Sequence, residues 1–140
     1  MLKSCKYCGR IHDSKILCKQ KKIEEDKRKA KRKNTKAYKF RKTKVWERKS
    51  RQIRQDDNYL CLCCLDKKPG TIEQYNSKEI SVHHIDPIEE DYGKRLDDDN
   101  LITVCPVHHE MCEKEEITRE EQRDLITRYR RQQEDTVLVL

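Results

Sequence analysis

The sequence predicts a small α+β fold. A short ββα unit is stapled by metal and preceded by a basic helical arm and a separate cysteine finger. Three observations predict it. Only 34% of the 140 residues are hydrophobic and 42% are charged, so apolar burial makes a thin core and a staple is expected. Eight cysteines recur in Cys-x2-Cys pairs with histidines nearby, at spacings that suit zinc better than disulfides. Val82-His83-His84-Ile85-Asp86-Pro87 is answered by Asn100-Leu101-Ile102 and Cys105-Pro106-Val107-His108-His109, placing four of the five histidines within 27 residues. Histidine is the commonest metal ligand and the usual general base near neutral pH. The cluster therefore points to a site that binds metal and activates water.

Residues 1–18 read as one unit. Cys5, Cys8, His12 and Cys18 follow the spacing C-x2-C-x3-H-x5-C. A cysteine pair three residues apart can grip one ion from a tight turn, with Gly9 easing the backbone, and His12 and Cys18 can complete a tetrahedron. So short a segment would depend on the metal for its fold. The other reading is unpaired cysteines in a frayed terminus.

Residues 19–54 contain neither Gly nor Pro and are dominated by helix-favouring Lys, Arg, Glu, Gln and Ala. The first half has no face to bury, so an exposed helix or a segment ordered by a polyanion is expected. Thr43 is a candidate cap for a helix carrying Val45, Trp46 and Ile53. Trp46 reads as a core anchor of that helix rather than a base-stacking residue.

The body, residues 55–117, opens with Cys61-Leu62-Cys63-Cys64, in which Cys61 and Cys64 form a clip. Lys67-Lys68-Pro69-Gly70 signals a turn. Glu79 to His83 reads as a strand ended by Pro87, residues 89–99 as an acidic loop, Leu101 to Cys105 as a second strand, and His108 to Lys114 as a helix. Neighbouring residues on a regular strand face opposite ways, so His83 and His84 can share one cleft only if the strand distorts near Pro87. Residues 118–140 open on the capping-box pattern of Thr118 and Glu121. Leu125, Ile126 and Tyr129 then form an apolar stripe, and the apolar segment from Thr136 to Leu140 reads as a packed or frayed tail.

The net charge of +7 hides a division. Residues 1–18 carry +3, residues 19–54 carry +14 from 18 Lys/Arg against four acids, and residues 55–140 carry −10. Such basic blocks are common nucleic-acid arms, because each neutralised phosphate releases counterions. A solvated charged helix with no ligand is the alternative. No apolar run approaches the roughly 18 residues of a membrane span, and the start Met-Leu-Lys-Ser-Cys-Lys-Tyr-Cys is not an apolar signal segment. Thiols beside histidines then place the chain in a reducing cytoplasm.

Residues 57–117 resemble an HNH endonuclease of the zinc-containing type common in bacteria and their phages. The matching residues are Tyr59-Leu60-Cys61, Cys64, Val82 through Ile88, Asn100-Leu101-Ile102, and Cys105 through His109. The basic arm and the N-terminal finger also resemble phage-encoded members. The resemblance implies a ββα-metal nuclease core hydrolysing DNA phosphodiester bonds, leaving 5′-phosphate and 3′-hydroxyl ends. It implies His83 and His109 as ligands of a catalytic divalent cation (Mg, Mn, Ni or Zn), His84 as general base, and Asn100 as the residue that braces the loop and orients His84. It implies a structural zinc on Cys61, Cys64, Cys105 and His108, although many relatives have a thiolate where His108 stands. Cys63 or Cys112 is an alternative fourth ligand, and Asp86 is a surface acid rather than a stray ligand. Implied partners are DNA and, in DNA packaging, phage terminase subunits, within a bacterial host cell and with no membrane. Two competitors remain: a non-catalytic zinc-binding adaptor for DNA or terminase, and an RNA-directed nuclease.

Overall fold

A computed structural model of the chain describes residues 1–139, with side chains through residue 130. It divides into two compact units, Met1–Phe40 and Arg41–Leu140.

In the first unit, strands β1 (Leu2–Ser4) and β2 (Ile11–Asp13) form an antiparallel hairpin with Leu2 opposite Asp13 and Ser4 opposite Ile11. Helix α1 (Lys19–Lys33) follows directly from Cys18 and buries no residue. Helix α2 (Lys36–Arg41), whose last residue is counted with the second unit, starts at Thr35, whose hydroxyl accepts from the Tyr38 amide at 3.2 Å. The absence of Gly and Pro gave no hint of this break. A short polar side chain that competes for the backbone is enough to restart a helix.

In the second unit, helix α3 (Lys44–Asp56) begins at Thr43, whose hydroxyl accepts from the Trp46 amide at 3.2 Å. Ile53 is its fully buried anchor, worth roughly 1.5–3 kcal/mol, whereas Val45 stays half exposed. Two consecutive left-handed residues, Asn58 (φ 55°) and Tyr59 (φ 56°), turn the chain out of α3. Asn is among the side chains that tolerate this region best. Cys61 then caps the one-turn helix α4 (Leu62–Leu65), its sulfur accepting from the Cys64 amide at 3.4 Å.

Strands β3 (Ser81–His84) and β4 (Leu101–Val104) pair antiparallel, with His83 opposite Ile102 and His84 opposite Leu101. The ladder continues regularly past His84, since the Ile85 amide donates to the Asn100 carbonyl at 2.8 Å. The expected distortion of the strand is therefore not found up to this point. The acidic connection holds two 3-10 turns, Tyr92–Lys94 and Asp98–Asn100, within it. Helix α5 (Pro106–Glu113) starts two residues earlier than His108, because proline suits the first helical position.

Helix α6 (Arg119–Val139) opens on a complete capping box. The Thr118 amide donates to the Glu121 carboxylate at 2.8 Å, and the Glu121 amide donates to the Thr118 hydroxyl at 3.1 Å. Its backbone takes in residues 136–139 of the segment expected to be a tail, whose side chains lie outside the described residues. Among the described residues no helix is long and apolar enough to cross a membrane.

The core joins Leu62, Ile85, Ile102, Val104, Ile117, Leu125 and Ile126 to five cysteines. With five of its twelve members thiols, this core gains less from apolar burial than one built of Leu and Ile. One ion pair locks α6 onto it. The buried Asp57 carboxylate accepts from Arg130 at 2.7 and 3.0 Å and from the Thr103 amide at 3.1 Å. Asp57→Ala takes the carboxylate from a largely buried guanidinium, which keeps only the Asp98 and Leu101 carbonyls, and leaves the Thr103 amide unpaired, so it should cost about 3 kcal/mol. Urea denaturation checks this, and a midpoint unchanged from wild type would refute it.

Candidate functional site

Cys61, Cys64, Cys105 and His108 converge, with all four ligand atoms within 4.8 Å of one another. Three elements supply them: the α4 clip, the end of β4, and the first turn of α5. The imidazole of His108 is fully buried. Its Nε2 donates to the Pro69 carbonyl at 3.0 Å. A carbonyl only accepts, so Nδ1 keeps its lone pair, and it faces Cys61, Cys64 and Cys105 at 3.5, 3.3 and 3.3 Å. The turn that delivers Pro69 needs Gly70, whose φ is +91° and whose missing Cβ would stand 3.2 Å from Val107. Burial first, and then the charge on Cys61, pushes the Cys64 thiol up to about 12. Three sulfurs and one imidazole nitrogen, buried and mutually close, fit the donor chemistry of tetrahedral Zn²⁺. The second-nitrogen bond of His108 is the outer support such ligands use. Cys63 and Cys112 lie outside this group; the Cys63 thiol is driven up by Cys112 first, then by Cys61 and burial.

A cleft of about 660 Å³ opens beside it, lined by Arg41, Trp46 and Arg54 on one wall, β3 with His83 and His84, and His109, Glu113 and Arg119 on another. His83, His109 and Glu113 bring their ligand atoms within 4.8 Å of one another. The two rings meet edge-on, with centroids 5.0 Å apart. His109 Nδ1 pairs with the Ser81 hydroxyl at 2.9 Å, and its Nε2 lies 3.2 Å from the Glu113 carboxylate. Burial first, then the neighbouring charges of His109 and His84, holds His83 down to about 4. A neutral imidazole is the form that ligates metal. Two imidazoles and a carboxylate fit a divalent cation, with further coordination positions for substrate oxygens. Glu113 was missed in the sequence. Its signal is the four-residue spacing from His109, which puts both on one helical face.

His84 stands on the other side of the strand end. Its Nε2 donates to the Arg95 carbonyl at 3.1 Å, so Nδ1 again holds the lone pair. Burial, the first cause, lowers its pKa below the usual imidazole value. The indole of Trp46 stacks on the ring, centroids 4.7 Å apart and planes 27° apart. Trp46 is therefore not the core anchor expected from the helical pattern. Half-buried at the cleft, it is a wall for His84, and Ile53 takes the anchoring role. Regular strand alternation, which seemed to conflict with a shared cleft, sends His83 towards α5 and His84 towards α3, and the cleft bends around the strand end.

Asn100 is buried and bonds only backbone in this network. Its Oδ1 accepts from the Asp86 amide at 2.7 Å, and its Nδ2 donates to the carbonyls of Asp86 and Lys94 at 3.1 and 3.2 Å. The loop that presents Arg95 to His84 is thereby tied to the end of β3. Asp86 is not a simple surface acid. Its side chain is 14% exposed and pairs with Arg123, Lys94 and Arg119 at 2.7, 3.1 and 3.3 Å. These partners, Arg123 first, hold its pKa below the usual carboxylate range. In the other unit, Cys5, Cys8, His12 and Cys18 form a third group with ligand atoms within 4.8 Å of one another.

Residues 61–119 match the family model described as HNH endonuclease. The crystal structure of the HNH endonuclease of the deep-sea thermophilic bacteriophage GVE2, with manganese ion, is similar at 29% identity. The alignment covers 71% of this chain and 95% of that one, with a TM-score of 0.45. No match to a curated protein was found.

Proposed function

We propose, with residues 61–119 an HNH endonuclease domain, that the chain hydrolyses DNA phosphodiester bonds in the cleft between α3 and α5. His84 is the general base, and a divalent cation is held by His83, His109 and Glu113. The observation that carries this reading is the hydrogen bond of His84 to the Arg95 carbonyl at the cleft. The Nε2 proton is committed to that carbonyl, so the basic lone pair of the ring is on Nδ1. Asn100 is a positioning residue that holds the loop carrying Arg95. Arg41 lies close enough to the His pair to disfavour a positive charge on both, so its guanidinium suits a phosphate in the same place. When bound, the cation (Mg, Mn, Ni or Zn) polarises a phosphoryl oxygen and steadies charge on the leaving oxygen. Water oxygen bonds to phosphorus as its proton passes to His84, the P–O3′ bond breaks, and the leaving oxygen takes a proton from solvent, so the strand ends become 5′-phosphate and 3′-hydroxyl. Cys61, Cys64, Cys105 and His108 hold a structural zinc beside the cleft. A place in phage DNA packaging beside terminase subunits is a finer proposal, carried by the family resemblance.

Incubation of supercoiled plasmid with the protein and Mg²⁺, Mn²⁺ or Ni²⁺ should give nicked or linear DNA with 5′-phosphate ends. An RNA substrate in the same reaction should compete poorly. DNA binding without nicking under every metal would replace this reading with the zinc adaptor, and preferred cleavage of RNA would replace DNA as the substrate.

A further inference from the structure

We propose that Cys5, Cys8, His12 and Cys18 hold a second zinc ion whose occupancy fixes the start of α1, making the basic helix a zinc-dependent, polyanion-binding element.

The hairpin places the donors. The Gly9 amide donates to the Cys5 carbonyl at 2.8 Å and the Cys5 amide to the Arg10 carbonyl at 2.9 Å. Gly9 at φ +72° makes this tight turn accessible. The Cys5 and Cys18 sulfurs stand 3.8 Å apart. His12 supplies an observation that points to a ligand. Its Nδ1 donates to the Asp13 carbonyl at 3.0 Å, so Nε2 keeps the lone pair, and this buried atom has no hydrogen-bond partner. A buried nitrogen without a partner is costly. Ligation to an ion inside the sulfur group satisfies it, with the Asp13 carbonyl as outer support. Nor does any apolar core hold the hairpin, since the buried hydrophobic residues begin only at Ala37.

Cys18 connects the ion to the helix. It is the N-cap of α1, but its side chain makes no capping hydrogen bond. The first turn contains no acid and begins Lys19-Gln20-Lys21-Lys22, so positive charge meets the positive end of the helix dipole. A 15-residue helix with no buried face is marginal in water. Three thiolates outweigh the two charges of a zinc ion, and the resulting negative centre at Cys18 offsets both the dipole and the lysines. Zinc binding is then coupled to helix formation, and the basic helix presents its charge to phosphates.

The polyanion is taken to be the DNA of the proposed function. The metal and helix parts stand without that reading and are measured without DNA. The test compares full-length wild type with the double variant Cys5→Ser, Cys8→Ser, and with His12→Cys, which keeps four donors. Metal analysis should find one zinc fewer in the double variant. Cobalt substitution should give about half the thiolate-to-cobalt absorption, and circular dichroism should lose helical signal comparable to α1. His12→Cys should retain the ion and the helix. In a His84→Ala background, which prevents cleavage from obscuring binding, the double variant should bind DNA more weakly and with a shallower salt dependence. Equal zinc in wild type and double variant overturns the site. Loss of zinc with unchanged helicity overturns the coupling to α1, and unchanged DNA affinity overturns the polyanion role.

Discussion

His84→Ala should slow plasmid nicking about 10²–10⁴-fold, the usual contribution of a positioned general base, while zinc content and DNA affinity stay at wild-type levels. The ring is held on two sides, by the Arg95 carbonyl and by the Trp46 indole. Both contacts fix the orientation of the ring. Removing the side chain takes away the proton acceptor but leaves His83, His109 and Glu113 in place for a cation. Single-turnover cleavage under saturating metal isolates the chemical step. Equal rates for variant and wild type would remove His84 from the mechanism.

If zinc is bound at Cys61, Cys64, Cys105 and His108 as proposed, stripping it should unfold the domain around that group rather than merely inactivate it. Structural zinc in finger peptides is worth about 10–16 kcal/mol in apparent binding free energy. Whole domains are stable by only about 5–15 kcal/mol. The four ligands join α4, β4 and α5, and the core around them is rich in thiols. His108→Ala should act in the same direction by deleting one donor and orphaning the Pro69 carbonyl. Thermal melts followed by circular dichroism, with metal analysis on the same samples, check both. A zinc-free protein that still melted cooperatively at the wild-type temperature would refute the stapling role.

Much of the site was legible because its chemistry depends on residue type and short spacing. The Cys-x2-Cys clip, the two His pairs and Asn100 could be placed on a strand, loop, strand and helix before any coordinates. The capping box of α6 and the Thr43 cap were readable for the same reason, since each is completed within four residues. What escaped depended on distant packing. The apolar character of Trp46 suggested a core position, but whether an aromatic on α3 faces the core or the cleft depends on how that helix meets β3. Asp86 looked like an acid in a polar loop, yet Arg119 and Arg123 approach it from α6. The Asp57 and Arg130 pair spans 73 residues, and nothing local in either segment announces it. Glu113 was accessible in principle, but an exposed glutamate on a helix is so common that its spacing from His109 did not stand out.

The contact between Trp46 and His84 has a practical consequence. The chain contains one tryptophan, and it lies against the imidazole proposed to activate water. Intrinsic fluorescence excited at the indole therefore reports from the cleft, undiluted by other indoles. Substrate entry, cation loading or a shift of the His84 ring each changes the surroundings of that single emitter. The native protein thus carries an optical probe beside its reacting atoms, and no label need be added to watch the cleft fill and empty.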